Sequence, residues 1–191
     1  MAKKNTLSDK DKSQLKEINE RLREDTDTEE TKKEIFYYKN GNKKREYYHK
    51  DGEFHREDWQ GPAIIDYYDN GNVRKEEYKF NNQFHRTNGP QIIRYNKDGA
   101  KYLEKYVNEN GDLDRMFNKP AEIWYYGNGK KMSECYCRDG KPHRDLDNGP
   151  AHVRYDEDGN IIHQEYLLYG KKFIKKESIF TRLFKRLFRF K

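Results

Sequence analysis

The sequence predicts an all-β protein: an elongated antiparallel array of hairpin units with a short helix at each end. Three observations carry that expectation. First, a motif recurs. EFHREDWQGPAIIDYYDNGNVRKEEY over 53–78 is matched by QFHRTNGPQIIRYNKDGAKYLEKY over 83–106 and by KPHRDLDNGPAHVRYDEDGNIIHQEY over 141–166. A weaker copy, LDRMFNKPAEIWYYGNGKKMSECY, fills 113–136, and a half copy, IFYYKNGNKKREYY, opens the series at 35–48. Second, the punctuation keeps step. Pro62, Pro90, Pro120 and Pro150 stand 28, 30 and 30 residues apart, and Gly41, Gly71, Gly99, Gly129 and Gly159 stand 30, 28, 30 and 30 apart. Third, Leu, Ile, Val and Phe make up only 34 of the 191 residues, while Tyr alone supplies 16. So few aliphatic side chains cannot fill a thick core, so tyrosine must provide much of the buried area. A unit this small buries its apolar face only against its neighbours.

The elements follow in order. Residues 8–24 read as a helix, with Ser8 as N-cap and Leu15, Ile18 and Leu22 at helical spacing. Residues 25–34 contain no apolar side chain and read as a polar linker. The expected domains are therefore a helix over 1–24, a linker over 25–34, the β array over 35–174 and a tail over 175–191. Within each unit a β-branched and aromatic run such as Ala63–Tyr68 is a strand, and an Asn-Gly pair is a hairpin turn of type I′. The run Val73–Phe80 returns, and a second polar turn leads into Phe-His-Arg and a loop closed by Gly-Pro. Alternation places Ile65, Ile93, Ile123 and Val153 on one face with Tyr67, Tyr95, Tyr125 and Tyr155. On the return strand Tyr78, Tyr106, Tyr136 and Tyr166 each follow Glu76, Glu104, Glu134 or Gln164 by two. Aligned units would stack these into Ile, Tyr and Glu columns.

The pattern Tyr-Tyr-x-Asn-Gly-(x)4-Glu-x-Tyr resembles the variant MORN repeat of the YwqK-like antitoxin family and of long MORN-like arrays in bacteria and large DNA viruses. The resemblance covers roughly residues 35–173. The units here are longer, by the Phe-His-Arg…Gly-Pro segment, and lack the Gly-Lys-x-x-Gly ending of ordinary units. It implies a scaffold that binds proteins or lipids and is rarely catalytic. It also implies an alternative, an antitoxin or immunity protein that neutralises a toxin by direct binding.

Charge separates the body from the tail. KKESIFTRLFKRLFRFK at 175–191 has seven Lys/Arg against one Glu, which accounts for the whole net charge of +6. The body is neutral, so nucleic acid is not expected at the sheet and is expected, if at all, at the tail. In the tail Ile179, Phe180, Leu183, Phe184, Leu187 and Phe188 form one helical face, and Arg182, Lys185, Arg186 and Arg189 form the other. Such a helix is too short to span a bilayer. It fits an anionic membrane surface, an acidic partner, or a cap on the open edge of the array.

Candidate chemistry is sparse. His55, His85 and His143 recur in pairs with Arg56, Arg86 and Arg144, and Asp114-Arg115 takes the slot in the weaker copy. One histidine per unit makes a row, not a metal site. The expectation is that His closes the loop on backbone while Arg pairs with the Glu column. Cys135 and Cys137 are too few for a disulfide framework, and neither His152 nor His163 can be placed beside them from sequence. No phosphate loop, nucleophile elbow or zinc-protease motif occurs. The reading is thus no catalytic residue, no metal and no cofactor. Met116, Phe117 and Trp124 replace polar residues of the pattern, and Trp59 sits in the first His-Arg loop; all four are candidate partner contacts. The expected partner is a protein or larger assembly, an oligomer being compatible with it. The expected compartment is reducing and cytoplasmic, with peripheral membrane attachment and no classical secretion signal.

Overall fold

The computed structural model describes residues 31–174. The expected helices over 1–24 and 175–191 lie outside the described residues. Five hairpins follow one another: β1 (Lys32–Tyr37) with β2 (Lys43–Lys50), β4 (Ile64–Tyr67) with β5 (Val73–Glu77), β8 (Ile92–Tyr95) with β9 (Lys101–Lys105), β10 (Glu122–Tyr125) with β11 (Lys131–Cys135), and β14 (His152–Tyr155) with β15 (Ile161–Leu168). All are antiparallel and all join one sheet, ordered β1-β2-β4-β5-β8-β9-β10-β11-β14-β15-β16, where β16 is Lys171–Phe173. Short strands complete the second turns. They are β3 (Glu53–Phe54), paired with β2, and the separate pairs β6 (Lys79–Phe80) with β7 (Gln83–Phe84) and β12 (Cys137–Arg138) with β13 (Lys141–Pro142). Single 3-10 turns at Asp58–Gln60 and Leu146–Asn148 are the only described helical elements.

One expected boundary moves. Residues 32–34, read as the end of a polar linker, are strand, with Lys32, Lys33 and Glu34 paired to His49, Tyr48 and Tyr47. Ladder hydrogen bonds and Lys/Glu neighbours suffice there without apolar side chains.

The turn types also differ from expectation. At each Asn-Gly-type turn three residues separate the closing pair, as in Tyr38 N–H to Asn42 O, and Gly41 N–H donates back to Tyr38 O. Only the glycine has positive φ, from 81° to 94° at Gly41, Gly71, Gly99, Gly129 and Gly159. This is a type I turn with a glycine bulge, not type I′, which needs positive φ at both central residues. The two-residue form sits at four of the five second turns instead; the remaining one, closed by Asn108 N–H to Asp112 O, keeps the three-residue form. Both residues are left-handed at Asp51-Gly52, Asn81-Asn82, Asp139-Gly140 and Tyr169-Gly170.

Where the core sits follows from register. One row runs straight across the sheet: Ile35, Glu46, Ile65, Glu76, Ile93, Glu104, Ile123, Glu134, Val153, Gln164. Aliphatic and acidic side chains alternate along it. Tyrosines cover it from one side: the hydroxyls of Tyr67, Tyr95, Tyr125 and Tyr155 donate to Glu46, Glu76, Glu104 and Glu134 of the preceding hairpin, at 3.4, 3.1, 2.8 and 2.7 Å. Lys43, Lys101 and Lys131 reach the same glutamates from three residues upstream. Residues three apart on a strand face opposite sides, so the contact needs a register shift. Bulges opposite Tyr37, Tyr95 and Tyr125 supply it. For Glu46, burial pushes the carboxyl pKa up, but hydrogen bonds from Lys43, Lys33 and Tyr48 outweigh this and hold it at about 2. Burial, then Glu46, raises the Tyr67 phenol to about 12. Burial similarly raises Tyr95, Tyr125 and Tyr155.

A second tyrosine column is clamped by arginine. The guanidinium groups of Arg56, Arg86, Arg115 and Arg144 lie 3.7, 3.7, 3.4 and 3.7 Å from the ring centroids of Tyr48, Tyr78, Tyr106 and Tyr136. Each also donates to the carbonyl of the Pro that closes its own loop, at 2.9–3.1 Å. The expected Arg–Glu pairing is therefore replaced: arginine reads a ring face and a backbone carbonyl, while lysine and tyrosine satisfy the glutamates. The glycine before the proline is required where it occurs. A Cβ at Gly89 would stand 2.8 Å from Arg86 Cζ, and φ there is +150°.

Candidate functional site

The opposite face is built differently. Its central row reads Phe36, Arg45, Asp66, Lys75, Arg94, Leu103, Trp124, Ser133, Arg154, His163. No residue type recurs at a fixed step. Four cations face one acid in it, and the bulges add Lys44 and Arg74 nearby. The neutral composition of the body thus conceals a local cation excess.

Asp66 organises this surface. It is 2% exposed, the most deeply buried charge among the described residues. Arg45 Nε lies 2.6 Å from Oδ1, with Lys75 Nζ and Arg74 Nη2 at 3.3 and 3.4 Å from Oδ2. Burial pushes the Asp66 carboxyl up, yet Arg45 and Lys75 hold it below the usual range. Lys75 also lies 3.0 Å from Glu77 Oε1, so three cations meet two carboxylates and one positive charge is left in excess. Arg94, directly opposite Lys75, makes no ion pair among the described residues. Like charges opposite each other disfavour the sheet, so the placement is not explained by stability.

Two clefts flank Asp66. One of about 650 Å³ is bounded by Phe36, Tyr37, Tyr38, Tyr47, Lys44, Arg45, Asp66 and Arg74. The other, of about 310 Å³, is bounded by Asp66, Tyr68, Arg74, Lys75, Arg94 and Tyr102. Aromatic walls under a cationic rim suit an extended anionic or acidic-aromatic ligand surface. Next along the row, Trp124 packs 5.9 Å from Tyr102 and adjoins Leu103, which is 1% exposed.

The sequence-predicted contacts are not brought together as a group. Trp59 is 81% exposed on the 3-10 turn, and Met116 and Phe117 are 72% and 85% exposed in the corresponding loop two units on. Trp124 is half-buried on the open sheet face. Among the recurring histidines, His55 and His143 are buried and His85 is exposed. Backbone N–H groups of all three bond to Tyr48, Tyr136 and Tyr78, as does that of Asp114 to Tyr106. The rings do other things: His55 Nδ1 meets Asn81 Oδ1 at 2.6 Å. Cys135 ends β11 and faces His152 across the ladder, but His152 lies by Glu165 at 3.7 Å. The thiol of Cys135 touches that of Cys137 at 3.2 Å; this contact lowers the Cys135 pKa and, with burial, raises that of Cys137. Among the described residues no three His, Cys, Asp or Glu side chains gather in a metal-binding arrangement. No described helix is long and apolar enough to cross a membrane. The tail residues expected to dock, Ile179 to Arg189, lie outside the described residues.

The Asp66 surface was missed because the tyrosine-face positions dominate the repeat. The signal was present as the residues between them, Asp66, Arg94, Trp124 and Arg154, which do not keep one residue type from unit to unit. No protein-family model, curated protein or solved structure matches the chain.

Proposed function

We propose that the protein is a non-enzymatic, MORN-like β-repeat scaffold. Its open face binds an acidic protein partner, and its cationic segment 175–191 docks the assembly on an anionic membrane. The observation that carries this reading is the surplus of arginine and lysine over aromatic clefts around Asp66, on the face that the repeat leaves free. A scaffold needs one face locked and one face available, and acidic partners are steered to such a surface. Neither cleft brings together a nucleophile and a base, so binding is the simpler use.

Two arms test it. Full-length chain and a 1–174 truncation are sedimented with anionic and with neutral vesicles at low and high salt. The reading requires that only the full-length chain pellets, with anionic vesicles and at low salt. In the second arm, the partner recovered by crosslinking in cells that make the protein is compared between wild type and Arg74→Glu/Arg94→Glu. An acidic protein lost in the double variant supports the open face. A nucleic acid, or a partner held equally by the double variant, contradicts it.

A further inference from the structure

The last loop cleft differs from its counterparts in a way that points to a ligand. His143 has a side chain only 6% exposed, and neither ring nitrogen has a hydrogen-bond partner. Buried polar groups are nearly always satisfied, so an orphan of this kind calls for an explanation. The recurring pattern provides an internal control. The equivalent His55 bonds Asn81 at 2.6 Å. Twenty-six residues beyond His143 the counterpart of that asparagine is Tyr169, whose ring stacks at 4.1 Å and offers the imidazole no acceptor. The arginine partners change too. Arg86 lies 3.8 Å from Asp58 of the preceding loop, whereas Arg144 Nε donates to neutral Asn118 at 2.6 Å. On its two sides the last loop thus lacks an amide and an acid that the first two units use.

Lys119 and Arg138 add cations here to the two arginines that recur in every loop. The cleft is lined by Arg115, Lys119, Arg138 and Arg144 together with His143. Its one carboxylate, Asp145, lies 3.5 Å from His143 Nε2 without a hydrogen bond to it. Lys119 stands where the other units have the glycine before proline, so this loop carries a further charge. The cavity is about 40 Å³, room for roughly three water-sized groups. That is the scale of the three non-bridging oxygens of a phosphate monoester, or of a free phosphate with its fourth oxygen at the rim.

We propose that this cleft binds a phosphate group, free or carried on a phosphorylated side chain. Arg138 and Lys119 meet its charge from the rim and His143 donates from within. Arginine and lysine at close quarters favour such a tetrahedral dianion.

The test uses the full-length chain, isotopically labelled, titrated with inorganic phosphate and separately with a phosphoserine peptide and its unphosphorylated form. Long-range imidazole spectra report His143, and His55 serves as the internal reference. The proposal expects saturable shifts at His143 and none at His55. It also expects at least about tenfold weaker binding in Lys119→Ala/Arg138→Ala; both side chains are exposed, and Arg138 gives up only a 3.4 Å hydrogen bond to the Tyr169 hydroxyl. Tyr169→Asn, which restores the partner that His55 has, should weaken binding while keeping the thermal midpoint. Saturation by phosphate alone identifies a free anion; tighter binding of the phosphopeptide identifies a modified partner. The absence of a saturable His143 shift at millimolar phosphate and with the phosphopeptide overturns the proposal. Unchanged affinity in the double alanine variant does the same.

Discussion

On the tyrosine face, successive hairpins place the same side chains in the same register, so that Tyr95–Glu76, Tyr125–Glu104 and Tyr155–Glu134 are one contact made three times. On the open face the row from Phe36 to His163 has no such recurrence, and it holds like charges opposite one another at Lys75 and Arg94. The difference teaches where each kind of constraint acts. A face that joins hairpin to hairpin must repeat, because each glutamate needs the next hairpin's tyrosine. The opposite face joins hairpins through contacts that differ from one to the next, such as Arg45–Asp66 and Lys105–Glu122, so its residues are free to diverge.

The largest effect should come from removing one glutamate of the row. Glu134→Ala leaves the Tyr155 hydroxyl and the Lys131 ammonium without their acceptor. A loss of about 2–3 kcal/mol is expected in urea unfolding. Next is acid. Glu46 has a folded pKa of about 2 against the ordinary glutamate value of 4.5. A depressed carboxyl contributes stability that is present above the unfolded pKa and lost as pH falls through the folded one. Stability should therefore drop between about pH 4.5 and 2, by on the order of 1–2 kcal/mol from this residue after solvent screening. Glu46→Gln should flatten that slope and lower stability at neutral pH. Base acts with the opposite sign. The raised phenol of Tyr67 contributes stability below about pH 10 that is lost as pH rises towards 12. Tyr67→Phe should lessen that alkaline loss, followed by tyrosinate absorbance alongside circular dichroism.

Smaller effects sharpen the comparison. Arg115→Ala removes a stack on Tyr106 and a bond to the Pro120 carbonyl, costing about 1–2 kcal/mol. Lysine at that position should recover little of it, since it lacks the planar group that stacks and donates together. At the far end of the scale, Arg94→Ala on the open face should change stability by less than about 0.5 kcal/mol.

Much of this organisation was legible in the sequence. The strand-turn-strand order, the shared face of Ile65 and Tyr67, and the Glu–x–Tyr spacing on the return strand all follow from alternation. What was not legible depended on local geometry. The Asn-Gly pair permits either a two-residue turn or a three-residue turn with a glycine bulge, and only the closing pair Tyr38–Asn42 decides. The start of β1 at Lys32 was hidden because three charged residues carry no hydrophobic signal. Arginine was expected on the glutamates because charge was weighed without register. The bulges that turn Lys43, Lys101 and Lys131 onto the Glu face give those sites to lysine instead. The Asp66 surface could not be seen because the body before residue 175 is neutral in sum, and only pairing register separates its two faces.

The most direct measurement is urea unfolding of Glu134→Ala beside Arg74→Ala/Arg94→Ala under identical conditions. The account predicts a midpoint clearly lowered in the first and unchanged within error in the second. Equal losses in the two, or a larger loss in the arginine variant, would contradict the division into a structural face and a free one.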